Sequence, residues 1–205
     1  LADEDLAAAL AAAIGGDTAG FGVLWRSLQP ALLRYLRVVS GDAAEDIASE
    51  TWLQAVRHLP GFTGDATAFR VWLFRIGRNR AIDERRRMAR RREDPAGTPD
   101  EPETESVPDA ATLAIERVET DWALRLIASL PRDQAEAVML RVVAGLDVAQ
   151  TAEVLGKRPG AVRVAALRGL RRLAAHLEVQ ARHQARGRRA GGPSGATGPV
   201  RPEGV

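Results

Sequence analysis

Residues Asp147–Leu173 read DVAQTAEVLGKRPGAVRVAALRGLRRL. Val148, Ala152 and Leu155 recur at helical spacing behind Asp147, a residue suited to cap a helix, and Gly156 can take the left-handed conformation that ends one. Pro159 fits the first turn of a second helix, where Val162, Ala166, Leu170 and Leu173 form one apolar stripe. Arg163, Val164, Leu167, Arg168 and Arg171 are left on its outer face. Two short helices joined at a glycine, with the arginines gathered on the second, spell a helix-turn-helix. Such an outer face suits a major groove. Two helices of an ordinary bundle would share the periodicity, but they do not require small residues at the turn or a basic outer stripe.

Upstream, residues 93–109, EDPAGTPDEPETESVPD, are acidic and rich in proline. A stretch of this composition cannot bury enough apolar surface to fold alone, so it is expected to be a flexible linker. Helical periodicity predicts four helices before it, over about 6–14, 20–39, 44–59 and 66–92. Four more are predicted after it, over about 113–130, 132–144, 148–155 and 159–179. No run alternates with period two. The expected fold class is therefore all-α: two small helical domains over 1–92 and 113–179, a flexible acidic linker over 93–112, and a disordered tail over 180–205.

The first domain holds eight of the nine aromatic residues: Phe21, Trp25, Tyr35, Trp52, Phe62, Phe69, Trp72 and Phe74. Most must be core, because a small helical domain relies on such anchors. Over 44–59, Ala48, Trp52, Ala55, Val56 and Leu59 mark a buried face, while Asp46, Glu50, Gln54 and Arg57 form an outward stripe. Solvation alone would explain that stripe. Phe62 stands in the glycine-flanked loop LPGFTGDAT, where nothing local buries it; an aromatic so placed can close a pocket or stack on a base. The next helix begins apolar with Phe69, Trp72, Leu73 and Ile76. It then turns basic through Arg75, Arg78, Arg80, Arg85, Arg86, Arg87, Arg90, Arg91 and Arg92. These exceed what capping a helix end requires, and guanidinium groups beside aromatics are what a phosphate backbone with exposed bases needs.

Composition removes several alternatives. The chain has 205 residues, 45% hydrophobic and 27% charged, with a formal net charge of only +2, so the sorting of charge along the chain says more than its sum. With no cysteine, neither a disulfide framework nor a thiolate zinc site can form, and direct thiol redox sensing is excluded. The three histidines, His58, His176 and His183, lie far apart in sequence, and no paired carboxylates suggest catalysis; no enzymatic activity, metal or cofactor is expected. No segment approaches the roughly 18–20 apolar residues of a membrane span. The Ala-rich start carries Asp3, Glu4 and Asp5 where a signal peptide would be basic, which predicts a cytoplasmic protein.

Three blocks taken together resemble the two conserved domains of bacterial extracytoplasmic-function sigma factors, of the sigma-70 family. These are Asp46–Phe62 (DIASETWLQAVRHLPGF), Phe69–Asp83 (FRVWLFRIGRNRAID) and Leu130–Leu173, which opens LPRDQ and ends in the helix-turn-helix. Their order and spacing around an acidic linker carry the resemblance, which covers roughly residues 15–178.

The resemblance implies a protein that binds core RNA polymerase, carries it to promoter DNA and opens the duplex without catalysing a reaction. It places Asp46, Ser49, Glu50 and Gln54 against the polymerase's largest subunit, with Ser49 standing where the family usually has glutamine. Phe62 and Asn79 match positions around a pocket for a base extruded from the minus-ten element, and Trp72 lies in the same aromatic block, where burial would equally explain it. Arg75, Arg78, Arg80, Arg86 and Arg87 would hold the phosphates of the melting strand. Arg163, Val164 and Leu167 align with positions that read the minus-thirty-five element, with Arg158, Arg168, Arg171 and Arg172 on phosphates. It also implies an anti-sigma factor as a partner. The runner-up is a helix-turn-helix regulator whose N-terminal domain senses a signal or dimerises.

Overall fold

The computed structural model describes residues 3–93 and 111–190, with side chains over 4–91 and 120–177. The described residues form eight α-helices and no strand. They are α1 (Asp3–Ile14), α2 (Thr18–Ser40), α3 (Ala44–His58), α4 (Ala66–Glu93), α5 (Ala111–Ala128), α6 (Arg132–Val138), α7 (Val148–Leu155) and α8 (Pro159–Ala190). A π-helical turn, Met139–Val143, prolongs α6 and buries Met139 and Leu140. Linker residues 94–110 lie outside the described residues.

Local chemistry sets the boundaries. Asp17 caps α2 by accepting from the amides of Ala19 and Gly20, and Asp65 accepts from the Ala68 amide at the start of α4. Asp147 and Gln150 form a reciprocal capping box on α7, each bond 2.8 Å long. Gly156 ends α7 at φ 62°, ψ 37°, a left-handed conformation that a residue with a Cβ adopts only at a cost.

Two sequence expectations about helix faces need correction. Val56 is 46% exposed; the buried face of α3 is Ala44, Ile47, Ala48, Thr51, Trp52 and Ala55, continued by Leu59, so the apolar stripe turns one residue away from Val56. Leu170 is also 46% exposed, because Val162, Ala165, Ala166 and Gly169 face inward on α8. Gly169 is there for closeness: a Cβ at this position would stand 2.8 Å from Val138 Cγ2 and 3.3 Å from Gln134 Cβ. The helix α8 also continues to Ala190, so residues 180–190, expected to open a disordered tail, are helical. Their Gln, Ala and Arg residues are good helix formers, and the Gly/Pro-rich segment starts only after Ala190. Residues 191–205 lie outside the described residues.

In the first domain α2, α3 and α4 pack around Leu24, Leu32, Leu36, Phe69, Leu73 and Phe74, all fully buried, with α1 laid along α2. Full burial of such a side chain contributes roughly 1.5–3 kcal/mol each. The aromatic expectation holds for Tyr35, Trp52, Phe69 and Phe74; Trp25 is exposed, while Phe21, Phe62 and Trp72 are half-buried. In the second domain α6 and α7 support α8 through Val138, Leu140, Leu146, Val154, Leu155 and Val162. The two domains also pack on each other, α5 and α6 against α2 and α7 against α4, so that their buried side chains form one continuous core.

Candidate promoter and polymerase interface

Three surfaces collect the residues singled out by sequence. On the first, Asp46, Ser49 and Glu50 are exposed along α3, with Gln54 half-buried one turn further on. Arg80 reaches across from α4: its NH1 donates to Glu50 Oε2 at 2.8 Å, and its Nε and NH2 donate to Gln54 Oε1 at 3.2 and 3.1 Å. Arg80 is thus tied to the acidic stripe of α3, whereas the resemblance groups it with Arg75, Arg78, Arg86 and Arg87 on phosphates. Asp46, Ser49, Glu50, Leu53, Asp83 and Arg87 line a groove here. Leu53, 58% exposed, was missed by sequence reasoning; its signal is its position between Glu50 and Arg57 on the polar stripe.

The second surface surrounds Phe62. The 3-10 turn Leu59–Gly61 delivers this ring onto α4, where it meets Phe69 edge-on at 5.4 Å and tilts against Trp72 at 5.2 Å. Arg57, His58, Thr63, Trp72 and Arg75 join it around an open cleft of about 630 Å³. A cleft with two half-buried aromatic faces and two guanidinium groups can take a flat, unstacked base and the phosphates on either side of it. Asn79 is exposed but does not line this cleft; it sits two helical turns beyond Trp72, roughly 10 Å along α4.

The structure separates the arginines that sequence grouped together. Arg75 pairs with Glu153 of α7 at 3.3 Å, and Arg78 with Glu136 of α6 at 2.9 Å, both across the domain boundary. Arg86 and Arg87 stay on the outer surface with one-turn pairs to Asp83 and Glu84. Glu136 is buried and also accepts from Arg132 Nε at 2.6 Å. Nothing in the helical pattern marks Glu136 or Glu153 as partners of α4. Near Glu136 lies the buried Tyr35 hydroxyl, without a hydrogen-bond partner; its burial, and next the charge of Glu136, push its pKa far above the usual phenol value.

The third surface is the outer face of α8. Arg158, Arg163, Val164, Leu167, Arg168, Arg171 and Arg172 are all exposed, and Arg172 also donates to Gln134 Oε1 at 3.2 Å. This is one continuous basic face on a helix held from behind by α6 and α7. No helix among the described residues is long and apolar enough to cross a membrane.

Two family models match the chain in order: Sigma-70 region 2 over residues 24–92 and Sigma-70 region 4 over residues 120–173. The chain is 33% identical over 177 residues to the ECF RNA polymerase sigma factor SigD of Mycobacterium tuberculosis, a match covering 83% of this chain and 82% of that protein. The chain belongs to the ECF RNA polymerase sigma factors. This sigma factor is also 33% identical over 180 residues to ShbA of Streptomyces griseus, covering 81% of this chain and 92% of that one. Among solved structures, its fold is similar to CnrH in complex with the cytosolic domain of CnrY, with a TM-score of 0.59, 24% identity and coverage of 85% and 98%. It is likewise similar to the sigma factor RpoE in complex with the anti-sigma factor NepR from Bartonella quintana, with a TM-score of 0.58, 24% identity and coverage of 78% and 97%. It is an alternative sigma factor for promoter recognition. The region 2 match assigns α2–α4 to a sigma domain, which disfavours a regulator whose N-terminal half is a sensor.

Proposed function

We propose that this sigma factor binds core RNA polymerase through the α3 stripe of Asp46, Ser49, Glu50 and Gln54. The same reading has it engage the minus-ten element through Phe62, Trp72, Asn79, Arg75, Arg78, Arg86 and Arg87. The minus-thirty-five element falls to Arg163, Val164 and Leu167, with Arg158, Arg168, Arg171 and Arg172 on its phosphates. Arg80 belongs to the first group by its contacts, as the residue that fixes Glu50 and Gln54.

The division of labour is physical. Arg163 can donate two bonds to guanine, Val164 and Leu167 can touch a thymine methyl, and the outer arginines position the helix without reading sequence. Extruding a base costs a few kcal/mol, which the aromatic cleft and phosphate contacts offset. The protein acts as an initiation factor and itself performs no chemistry, in the cytoplasm where RNA polymerase works. Its domains are taken as 1–92 and 113–179, joined by 93–112. An anti-sigma factor is a further proposed partner, since RpoE was solved with NepR. The observation that carries the whole reading is the presence, on one chain and in order, of the region 2 and region 4 matches, with the basic outer face of α8 exposed.

Permanganate footprinting tests it on a promoter selected with this protein and core polymerase. Reactive thymines at the minus-ten element that require both components are expected. Duplex protection by the protein alone, with no thymine reactivity when polymerase is added, would overturn the reading.

A further inference from the structure

Phe62 and Trp72 give the cleft beside α4 two half-buried aromatic rings, and an aromatic face stacks on every base alike. Choice among bases has to come from a polar group whose hydrogen-bonding sense is fixed. Arg57 and Arg75 line the cleft but only donate, and every base and every phosphate offers them an acceptor. The Glu153 carboxylate is engaged by Arg75 at 3.3 Å. The Thr63 hydroxyl can donate or accept, so it fixes no sense.

His58 differs from all of these. It is the last residue of α3, exposed, four residues before Phe62, and it lines the same cleft. Its Nδ1 lies 2.8 Å from the Gln54 carbonyl oxygen of its own helix. A carbonyl oxygen can only accept, so Nδ1 carries the proton, and in a neutral imidazole Nε2 is then an acceptor only. The backbone of α3 therefore selects the tautomer. A helix end also holds the ring more firmly than a loop holds Thr63, which lies between the turn Leu59–Gly61 and the start of α4 at Ala66.

An acceptor in this place separates bases into two classes. Cytosine and adenine carry an amine at N4 and N6, a donor that Nε2 can take; thymine and guanine carry a carbonyl oxygen at the same edge, a second acceptor that Nε2 opposes. We propose that His58 is a specificity-determining residue of the minus-ten cleft, accepting through Nε2 from the base drawn in beside Phe62 and so favouring an amino base, cytosine or adenine, over a keto base. The proposal rests on the reading of this cleft as the place of the extruded base. One neutral hydrogen bond at an exposed ring gives a modest preference, about three- to tenfold.

The test uses the protein assembled with core polymerase, at pH 8, on synthetic fork-junction DNA built from a promoter selected with that pair. At each single-stranded position of the minus-ten element in turn, cytosine is exchanged for uracil and adenine for hypoxanthine, which turns the amine into a carbonyl and leaves the ring size unchanged. Competition binding reads the ratio within each pair. One position is expected at which both amino bases win about three- to tenfold, and His58→Phe, which keeps a ring but no acceptor, should bring both ratios there to about one. Added stacking by phenylalanine cancels in the ratio. The proposal is overturned if no position loses its amino preference in His58→Phe, or if Thr63→Val removes the preference and His58→Phe does not. Failure of the cleft reading itself would show separately, as unchanged fork-junction affinity for every base in Phe62→Ala.

Discussion

Arg80 on α4 donates to Glu50 on α3 at 2.8 Å, so a basic residue of the arginine-rich helix holds an acidic residue of the helix proposed to meet the polymerase. Its Nε and NH2 both donate to Gln54 Oε1. Arg80→Ala should therefore weaken binding to core polymerase several-fold, within the roughly 1 kcal/mol of an exposed pair and its hydrogen bonds. Oligothymidylate affinity should stay level. Fluorescence anisotropy with each ligand separates this outcome from a role on phosphates, which would show the opposite ranking.

Arg163 and Arg86 should differ in kind. Replacing Arg163 by alanine is expected to cost about 1–3 kcal/mol at one base pair of the minus-thirty-five element and little elsewhere. Replacing Arg86 should weaken binding on every sequence and reduce the salt slope by about one. Competition assays against single-base promoter variants at several salt concentrations read both. A uniform loss for Arg163→Ala would remove it from base reading.

Gly169→Ala tests how closely α8 must approach α6. Alanine is the better helix former by about 1 kcal/mol, yet its methyl would lie 2.8 Å from Val138 Cγ2 and 3.4 Å from the Gln134 carbonyl oxygen. Overpacking should win, for a net loss of about 1–2 kcal/mol in urea unfolding, together with weaker duplex binding because the recognition helix is pushed off its support. A gain in stability would show that α6 and α8 have slack.

Tyr35 supplies a pH dependence. Its hydroxyl is buried without a partner, and burial raises its folded pKa above the unfolded value of about 10. Below that value the folded and unfolded states hold the same proton and stability is unaffected. As pH rises above about 10, the unfolded chain loses the proton first, so stability falls with pH. Tyr35→Phe should remove this alkaline loss and, because no hydrogen bond is given up, leave neutral-pH stability equal or slightly higher. Thermal melts at pH 7 and above 10 check both halves; a large loss at pH 7 would mean the hydroxyl has a partner after all.

Capping and turn chemistry made the helix-turn-helix legible: Asp147, Gly156 and Pro159 each act within one turn of chain, and local rules are read directly from sequence. Helix faces were legible to within one residue, which was enough to misplace Val56 and Leu170, because each is apolar and lies next in sequence to an inward-facing residue, Ala55 and Gly169. Tertiary pairing was not legible. Arg75, Arg78, Arg80 and Arg86 look alike in sequence, and only the fold shows that two of them face the second domain, one faces α3 and one faces solvent. The packing of the domains on each other was hidden for the same reason, since Glu136 and Glu153 sit among residues that would equally suit a solvated helix.

As a sigma factor, this one chain should convert core RNA polymerase into a promoter-specific enzyme. Run-off transcription from genomic promoter fragments, with purified core polymerase and with or without this protein, measures that conversion. Discrete new transcripts should appear only with the protein present, and should be lost when Glu50 and Gln54 are both replaced by alanine. Protection of duplex DNA by the protein alone, with no new transcripts at any protein concentration, would contradict the account.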